Sequence, residues 1–413
     1  MTRSGDSAIA MAQLGVTLVQ EGDMDIGVAL LEKATSLDAR GDLLANLAVA
    51  YVRAGREQDA ERAFQRALAV APNDRLLQED ADIFLRMRQG RLTRESVGDA
   101  EYRRRVQAEK EAYTAEYKKE ASRPMLMEES CAVWEHILER ARELERAATG
   151  GADFFEYIAR GARGRRPSRI LSLASGPGGV ELGLARTLGP ETIIECIEIN
   201  EALVALGTER ARRDGLNVRF SCQDINTLRL EAKSYDVIMA HAALHHFLAL
   251  EHIFSEVHAA LKMEGEFVVN DVTSKNGYEL WPETKAVIGH LWALLPERLR
   301  TNRTLYAVPT VDTEYPDRNY LGNGFECVRS QDILPLLHEH FRVVHYVPYF
   351  AIARRFFDRM FGPNFDLGKP FDRAVVDFIW QLDCELVRSQ AARPETAFLV
   401  LRRRDTPEAI ARA

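Results

Sequence analysis

Residues 170–181 read Ile-Leu-Ser-Leu-Ala-Ser-Gly-Pro-Gly-Gly-Val-Glu. The stretch opens as a short apolar run, Ile170-Leu171-Ser172-Leu173, which suits a buried parallel strand. It breaks at Ala174-Ser175-Gly176-Pro177-Gly178-Gly179 and resumes with Val180, Leu182, Leu184, Ala185 and Leu188 at helical spacing. The pattern predicts strand, glycine-rich turn, helix. Glycines let the backbone turn sharply and let a ligand lie against bare main chain. The helix start adds unpaired N–H groups and the positive end of a dipole. A dinucleotide turn requires G-x-G-x-x-G. Gly176 and Gly178 fit it, but Glu181 stands where the third glycine belongs. A carboxylate there opposes a pyrophosphate, which disfavours a nicotinamide oxidoreductase.

Downstream, strands and helices alternate, which predicts a parallel sheet flanked by helices. The second strand is Ile193 to Ile199, with Glu198 near its carboxyl end. An acid there can accept both hydroxyls of a ribose. The third is Val218 to Cys222, followed by Gln223-Asp224-Ile225. Asp224 can accept from the exocyclic amine of an adenine, with Ile199 and Ile225 sandwiching the ring; it can equally cap a turn. The fourth is Tyr235 to Ala240, followed by His241-Ala242-Ala243-Leu244-His245-His246-Phe247. The fifth is Glu266 to Asp271, approached through Leu261-Lys262-Met263-Glu264-Gly265. Strand six is predicted at 341–347 and a final strand at 396–401.

These elements, in this order, resemble the class I S-adenosylmethionine-dependent methyltransferases, whose glycine motif is D/E-x-G-x-G-x-G. The chain departs from that motif at Ser172, where the family has an acid, and at Ala174, where it has glycine. The resemblance spans about Arg169 to Asp271 and, by inference, the closing strands to Arg403. It implies a Rossmann-like seven-stranded α/β sheet with the last strand antiparallel, and S-adenosylmethionine as cofactor at the strand ends. Ser172, Ala174, Ser175, Gly176 and Gly178 map to the methionine end. Glu198 maps to the ribose and Asp224 to the adenine, with Ile199 and Ile225 against its ring. Backbone near Ala240 or His241 can replace the missing acid. His241, His245 and His246 lie just past strand four. An oxygen acceptor calls for a base near neutral pH, and histidine can supply it. His245 and His246 are the catalytic candidates, with Asp271 as a further acid or base. Helix capping or pocket-wall packing is the competing role for the histidines.

A minimal fold would need one helix between strands five and six. Instead, insertions of about 272–330 and 348–393 intervene, carrying Tyr278, Trp281, Trp292, Tyr306, Tyr315 and Tyr320 and a helix over 371–389. Long inserted segments in compact domains tend to be lids or binding elements. A substrate cap is one expectation and a helical homodimer interface the other.

Upstream, residues 41–74 place Leu44, Leu47, Ala48, Tyr51, Ala60, Phe64, Ala67 and Pro72 where the tetratricopeptide repeat has its packing residues. One period earlier, Leu14, Gly15, Leu18, Gly22, Gly27, Leu31 and Ala34 repeat the roles. The resemblance implies an all-α repeat domain over 1–90, with a capping helix including Leu76, Leu77, Ile83, Phe84 and Leu85. Its surface is either a protein-partner groove or a structural appendage. Residues 91–165 read as a helical connector: an exposed amphipathic helix bearing Tyr102, Val106, Tyr113 and Tyr117, a break at Pro124, a helix over 128–148, and Phe154, Phe155, Tyr157 and Ile158 as core or cofactor cover. Residues 166–413 form the methyltransferase-like domain.

Composition narrows the classes. The chain has 413 residues, 46% hydrophobic and 28% charged, with a net charge of −8. That balance argues against a nucleic-acid partner. The arginines from Arg160 to Arg169 read as a solvated loop. The five cysteines are scattered without a CxxC pair, so neither a disulfide framework nor a metal site is expected. No apolar run reaches membrane-spanning length and no secretory leader is evident, so a cytoplasmic protein without a membrane partner is expected. The leading expectation is O-methylation of a small-molecule or sugar-like acceptor. The alternatives are a methyltransferase whose protein or carrier-bound substrate is recruited by the repeats, and a non-catalytic interaction protein.

Overall fold

The computed structural model describes residues 2–21, 23–54, 56–74, 77–78, 81, 97–122, 131–164, 167–302, 310–317, 320 and 324–405. The chain divides into two compact units, Met1–Arg91 and Leu92–Ala413. The first is four helices: α1 (Thr2–Glu21), α2 (Met24–Leu37), α3 (Gly41–Arg53) and α4 (Glu57–Val70). Successive helices pack as antiparallel pairs over Leu31, Ala34, Leu44, Leu47, Ala48, Tyr51, Ala60, Phe64 and Ala67, all buried. Gly15 and Gly27 mark the closest crossing. A β-carbon on Gly27 would lie 2.8 Å from the Gly15 carbonyl, so only glycine lets these backbones meet. Leu14 departs from the expected packing: it is 54% exposed. Of the expected capping helix only Leu77 is described, buried on the repeat core; Leu76, Ile83, Phe84 and Leu85 lie outside the described residues, as does Gly22.

The second unit begins with three helices, α5 (Asp99–Ser122), α6 (Ala132–Thr149) and α7 (Phe154–Arg163). Gly150, in the left-handed conformation, ends α6. Asp153 and Glu156 cap α7 reciprocally, each side chain bonding the other's backbone N–H. There follow β1 (Ser168–Leu173), α8 (Gly179–Leu188), β2 (Thr192–Glu198), α9 (Glu201–Arg213), β3 (Val218–Cys222), β4 (Tyr235–His241), α10 (Leu250–Ala260) and β5 (Leu261–Val272). After the first insertion come α12 (Ser330–His340) and β6 (Phe341–Tyr349), and after the second, β7 (Thr396–Arg403). The strands form one seven-stranded sheet in the order β3-β2-β1-β4-β5-β7-β6, with β7 antiparallel to both neighbours. Alternating side chains fill two cores. Ile170, Ile194, Cys196, Val237 and Met239 face α6, α7 and α8, while Leu171, Leu173, Ile197, Ile238 and Ala240 face α10 and α12.

Both insertions leave from the carboxyl edge of the sheet, since Val272 and Tyr349 each pair with Thr396. The first holds α11 (Pro282–Leu294) and a short ribbon, Thr301–Asn302 against Thr310–Val311. The second holds α13 (Ala353–Phe357) and α14 (Pro370–Arg388). They share one apolar core with α6, built on Trp292, Phe350, Phe356, Phe361 and Trp380. Tyr306 lies outside the described residues.

The connector differs from expectation. Rather than standing exposed, α5 docks on the sheet-bearing unit. Tyr102 is buried against Leu248, Phe325 and Val328, with Val106 beside it. Its charged composition conceals one usable face, because neighbours at i+4 and i+7 are what the sheet edge meets. Pro124 lies outside the described residues.

Candidate active site

The turn after β1 is held in a conformation that few residues accept. Ala174, Gly176 and Gly178 have positive φ of 51°, 55° and 77°. A β-carbon on Gly178 would lie 2.3 Å from Phe220 Cζ, so glycine is required twice over, by conformation and by space. Ser175 N–H donates to the Ile197 carbonyl at 3.1 Å, tying the turn to β2. At the end of β2, Glu198 is 8% exposed. One carboxylate oxygen accepts from Gly176 N–H and the other from Asn200 N–H, both at 2.9 Å. Burial raises its pKa, against those backbone donors and the nearby charge of His246. The structure thus brings Ser175, Gly176 and Glu198 together. Ile199 is half-buried beside them.

Ser172 turns away from this turn toward α8. Its hydroxyl donates to Glu181 Oε1 at 2.5 Å, and Glu181 Oε2 has no partner. The residue that spoils the dinucleotide fingerprint therefore places a carboxyl beside the strand position where the family's acid would stand. Desolvation pushes the Glu181 pKa up to about 7, with the Ser172 hydroxyl opposing. A raised folded-state pKa means that the folded form holds a proton the unfolded form releases. Its stability contribution is full below the ordinary value of 4.5 and is lost as pH rises through about 7. Glu181→Gln removes this dependence. Between about pH 5 and pH 8, wild-type unfolding free energy should fall by about 2–3 kcal/mol relative to the variant. Parallel urea titrations at the two pH values would check it, and parallel stability curves would refute the assignment.

At the end of β3, Asp224 accepts from Asn226 N–H at 2.9 Å, the turn cap that was the competing role. Its two oxygens also accept from the Tyr102 hydroxyl of α5, each at 2.8 Å. Asn226 Nδ2 donates to that same hydroxyl at 3.0 Å. Ile225 is buried alongside. The predicted adenine contact is thus already engaged by a tyrosine hydroxyl.

His241 does not join the other two histidines. Its ring packs on Phe154 and Phe155 of α7, with centroids 5.2 and 5.5 Å away. Burial lowers its pKa. His245 and His246 follow on a short 3-10 turn. Asp271, fully buried, accepts from Ala243 N–H at 2.7 Å, Leu244 N–H at 2.8 Å and Val272 N–H at 2.8 Å. His245 Nδ1 is 2.7 Å from Oδ1, the oxygen that Val272 N–H also meets, while Ala243 and Leu244 N–H share Oδ2. Burial works to raise the Asp271 pKa, but His245 and these backbone donors outweigh it and hold it low. Asp271 is therefore no free acid or base. It anchors the loop and orients His245, because all its acceptor sites are taken.

His246 Nδ1 is 2.7 Å from Glu109 Oε1, a contact too oblique for a regular hydrogen bond. Its Nε2 is 3.2 Å from the Tyr113 hydroxyl. Burial works to lower its pKa, but Glu109 and Glu326 outweigh it and push it up to about 9. Glu326 comes from the first insertion, held in place where Val328 N–H meets the His245 carbonyl at 3.1 Å. Sequence reasoning missed Glu109 and Glu326. The face shared by Tyr102, Val106 and Tyr113 was visible and contained Glu109, whereas nothing in the chain near Glu326 marks it.

The strand order, with an antiparallel β7 beside β5, and the acids closing β2 and β3 define the class I S-adenosylmethionine-dependent methyltransferase fold. Residues 166–338 match the family model described as a methyltransferase domain. Residues 8–40 and 41–74 each match a tetratricopeptide-repeat model. The chain therefore carries an S-adenosylmethionine-dependent methyltransferase domain preceded by two tetratricopeptide repeats.

Among curated relatives, it is 26% identical over 117 residues to a demethylmenaquinone methyltransferase of Bacteroides fragilis, covering 28% of this chain and 47% of the relative. It is 32% identical over 118 residues to a malonyl-[acyl-carrier protein] O-methyltransferase of Bacillus cereus, covering 29% and 41%. It is 29% identical over 104 residues to a ubiquinone/menaquinone biosynthesis C-methyltransferase of Methylobacterium nodulans, covering 25% and 41%. The chain thus spans about half the length of the curated relatives it matches, or less. Among solved structures, the [4+2]-cyclase SpnF is 19% identical, with 60% of this chain and 79% of that one covered and a TM-score of 0.37. Geranyl diphosphate C-methyltransferase from Streptomyces coelicolor A3(2) is 13% identical, with 60% and 76% covered and a TM-score of 0.34. Likenesses of this size carry no argument about chemistry.

Proposed function

We propose that the protein transfers a methyl group from S-adenosylmethionine to an oxygen of a small-molecule or sugar-like acceptor. When bound, the cofactor supplies a sulfonium methyl, whose bonding pair stays on sulfur as the acceptor oxygen's pair forms the new carbon–oxygen bond. The observation that carries this reading is Glu198: a buried carboxylate at the end of β2, fixed by Gly176 and Asn200 N–H at 2.9 Å beside a left-handed glycine turn. A carboxylate so held has lone pairs left for a ribose diol, and the donor set fits the cofactor. Glu198 would hold the ribose. Asp224 would hold the adenine amine once Tyr102 shares or yields its oxygens. The Ala174–Gly178 backbone would lie under the methionine portion, with Ile199 and Ile225 against the ring. The cluster around His245 and His246 would receive the acceptor hydroxyl. The insertions would form the cap that excludes water. Calorimetric titration of the wild type with S-adenosylhomocysteine tests this reading. Saturable micromolar binding is expected, and a folded protein that releases no heat would overturn it.

A second reading has one observation in its favour, the two repeats matched over 8–74. In it, they recruit a protein- or carrier-bound acceptor. Deleting residues 1–91 would then abolish turnover on the tethered acceptor while leaving S-adenosylhomocysteine binding intact. Equal turnover with and without the repeats would rule recruitment out. No described helix is long and apolar enough to cross a membrane.

A further inference from the structure

Two imidazoles and a carboxylate converge where the loop after β4, α5 and the first insertion meet. His245 Nε2 lies 3.9 Å from Glu326 Oε1, and His246 Nε2 lies 3.7 Å from Glu326 Oε2. One ligand atom from each of the three residues falls within 4.8 Å of the others. These separations are too long for hydrogen bonds, which close at about 2.7–3.2 Å. They suit atoms that share an ion. Ligands held at about 2.0–2.1 Å in tetrahedral array stand roughly 3.4 Å apart. The two histidine–carboxylate separations exceed that by only a few tenths of an ångström.

What stands behind the rings points the same way. His245 Nδ1 is fixed by Asp271 at 2.7 Å, and Asp271 is itself fixed by three backbone N–H groups. Behind His246, Glu109 Oε1 stands 2.7 Å from Nδ1 as an oblique charge contact, which would align once an ion fixed the ring. Carboxylates on the far nitrogen set the tautomer and orientation of metal-ligating histidines and raise their basicity. Both Nε2 atoms face Glu326, that of His246 with the Tyr113 hydroxyl at 3.2 Å as a second neighbour an ion would displace or share. Charge completes the argument. Asp271, Glu109 and Glu326 bring three carboxylates to two imidazoles, in a place where Asp271 is 1% exposed. An excess of carboxylates over imidazoles favours a bound cation. Glu326 is the half-exposed member, with 44% of its side chain accessible, so an ion can enter from that side.

We propose that His245 Nε2, His246 Nε2 and one Glu326 oxygen bind a divalent transition-metal ion. Imidazole with a single carboxylate favours zinc, iron(II) or cobalt(II) over magnesium and calcium, which prefer all-oxygen shells. The Tyr113 hydroxyl, 3.2 Å from His246 Nε2, stands within reach of a further position. Resting on the proposed methyl transfer, the ion would lie where the acceptor oxygen enters. It would lower that oxygen's pKa and orient it, which is one way such ions assist displacement. The acceptor class narrows accordingly to oxygen nucleophiles able to reach a metal, such as phenols and vicinal diols. His245 and His246 then act as ligands, and the acceptor proton leaves to water.

The full chain, stripped with a chelator and titrated with cobalt(II), tests the site without any methyl acceptor. The readouts are calorimetry and the visible ligand-field absorption of the bound ion. A single saturable site per chain is expected. Glu326→Gln and His246→Gln should each weaken it by about 100-fold or more. Glu109→Gln, which removes no ligand, should weaken it by about 10–100-fold. S-adenosylhomocysteine binding by Glu326→Gln serves as the folding control. Its persistence alongside lost cobalt binding would support the site. No saturable uptake by the wild type, or unchanged affinity in Glu326→Gln, would overturn the proposal. Failure of S-adenosylhomocysteine binding in the wild type would count against the methyltransferase reading alone, since the cobalt titration decides the metal site separately.

Discussion

Glu198→Ala is expected to weaken S-adenosylhomocysteine binding by about 100-fold or more. Two hydrogen bonds from ribose hydroxyls to one carboxylate are each worth roughly 1.5–3 kcal/mol when the acceptor is charged. The carboxylate is prepaid for this task. It is buried, and Gly176 and Asn200 N–H fix its orientation, so no side-chain entropy is left to lose on binding. Glu198→Gln keeps one acceptor oxygen and should fall between. Glu198→Ala also leaves Gly176 and Asn200 N–H without their acceptor, so an intact urea unfolding transition is needed to separate lost contact from lost fold. Calorimetry on wild type and both variants gives the answer. Equal affinities would remove Glu198 from the cofactor site and leave the left-handed turn as its sole support.

Arg355→Ala should lower the unfolding free energy of the second unit by about 3–5 kcal/mol. Arg355 is 2% exposed and makes a two-pronged pair with Glu395, Nε and Nη2 each 2.7 Å from a carboxylate oxygen. Its Nη1 donates to the Tyr278 carbonyl at 2.9 Å, and the guanidinium lies 3.7 Å from the Tyr278 ring centroid. It therefore joins three chain segments: the first insertion, α13 and the start of β7. Truncation leaves a fully buried Glu395 without its hydrogen-bonded partner, with only the more distant charge of Arg354 to offset it, and this term dominates. Arg355→Lys cannot reproduce the fork and should recover only part of the loss. Replacing both partners with methionine removes the stranded charge and should recover more than either single change. Urea unfolding followed by tryptophan fluorescence reads this directly, as Trp281 and Trp292 lie in the first insertion. A loss below about 1 kcal/mol would show that the interlock between the insertions is not a stabilising element.

How far the chain could be read follows from which signals are local. The alternation of apolar strand and amphipathic helix from Ile170 to Asp271 carries the sheet, since burial on both faces makes each strand a short apolar run. Glu198, Gly176 and Gly178 were legible because they sit at strand ends, where position along the chain fixes position in the sheet. Asp271 reads in the sequence as a candidate acid or base. Its place at the end of β5 is local information, whereas its saturation by Ala243, Leu244, Val272 and His245 depends on a loop some 27 residues away. Glu181 was read only as an obstacle to a dinucleotide, because its pairing with Ser172 requires the helix to fold back over the strand.

The sequence by itself determined the two repeats, the order of the strands and the acids that close β2 and β3. Each is written in periodicity or in spacing from a glycine turn, and so needs no knowledge of distant contacts. The tertiary structure alone decided that α5 docks by Tyr102 onto Asp224, that His241 parts company with His245 and His246, and that Glu109 and Glu326 close around those two rings. Glu109 and His246 are 137 residues apart and Glu326 is a further 80 away. Charged side chains at such separations leave no periodic trace, because what selects their position is the field and shape of a cleft that exists only once the sheet has formed.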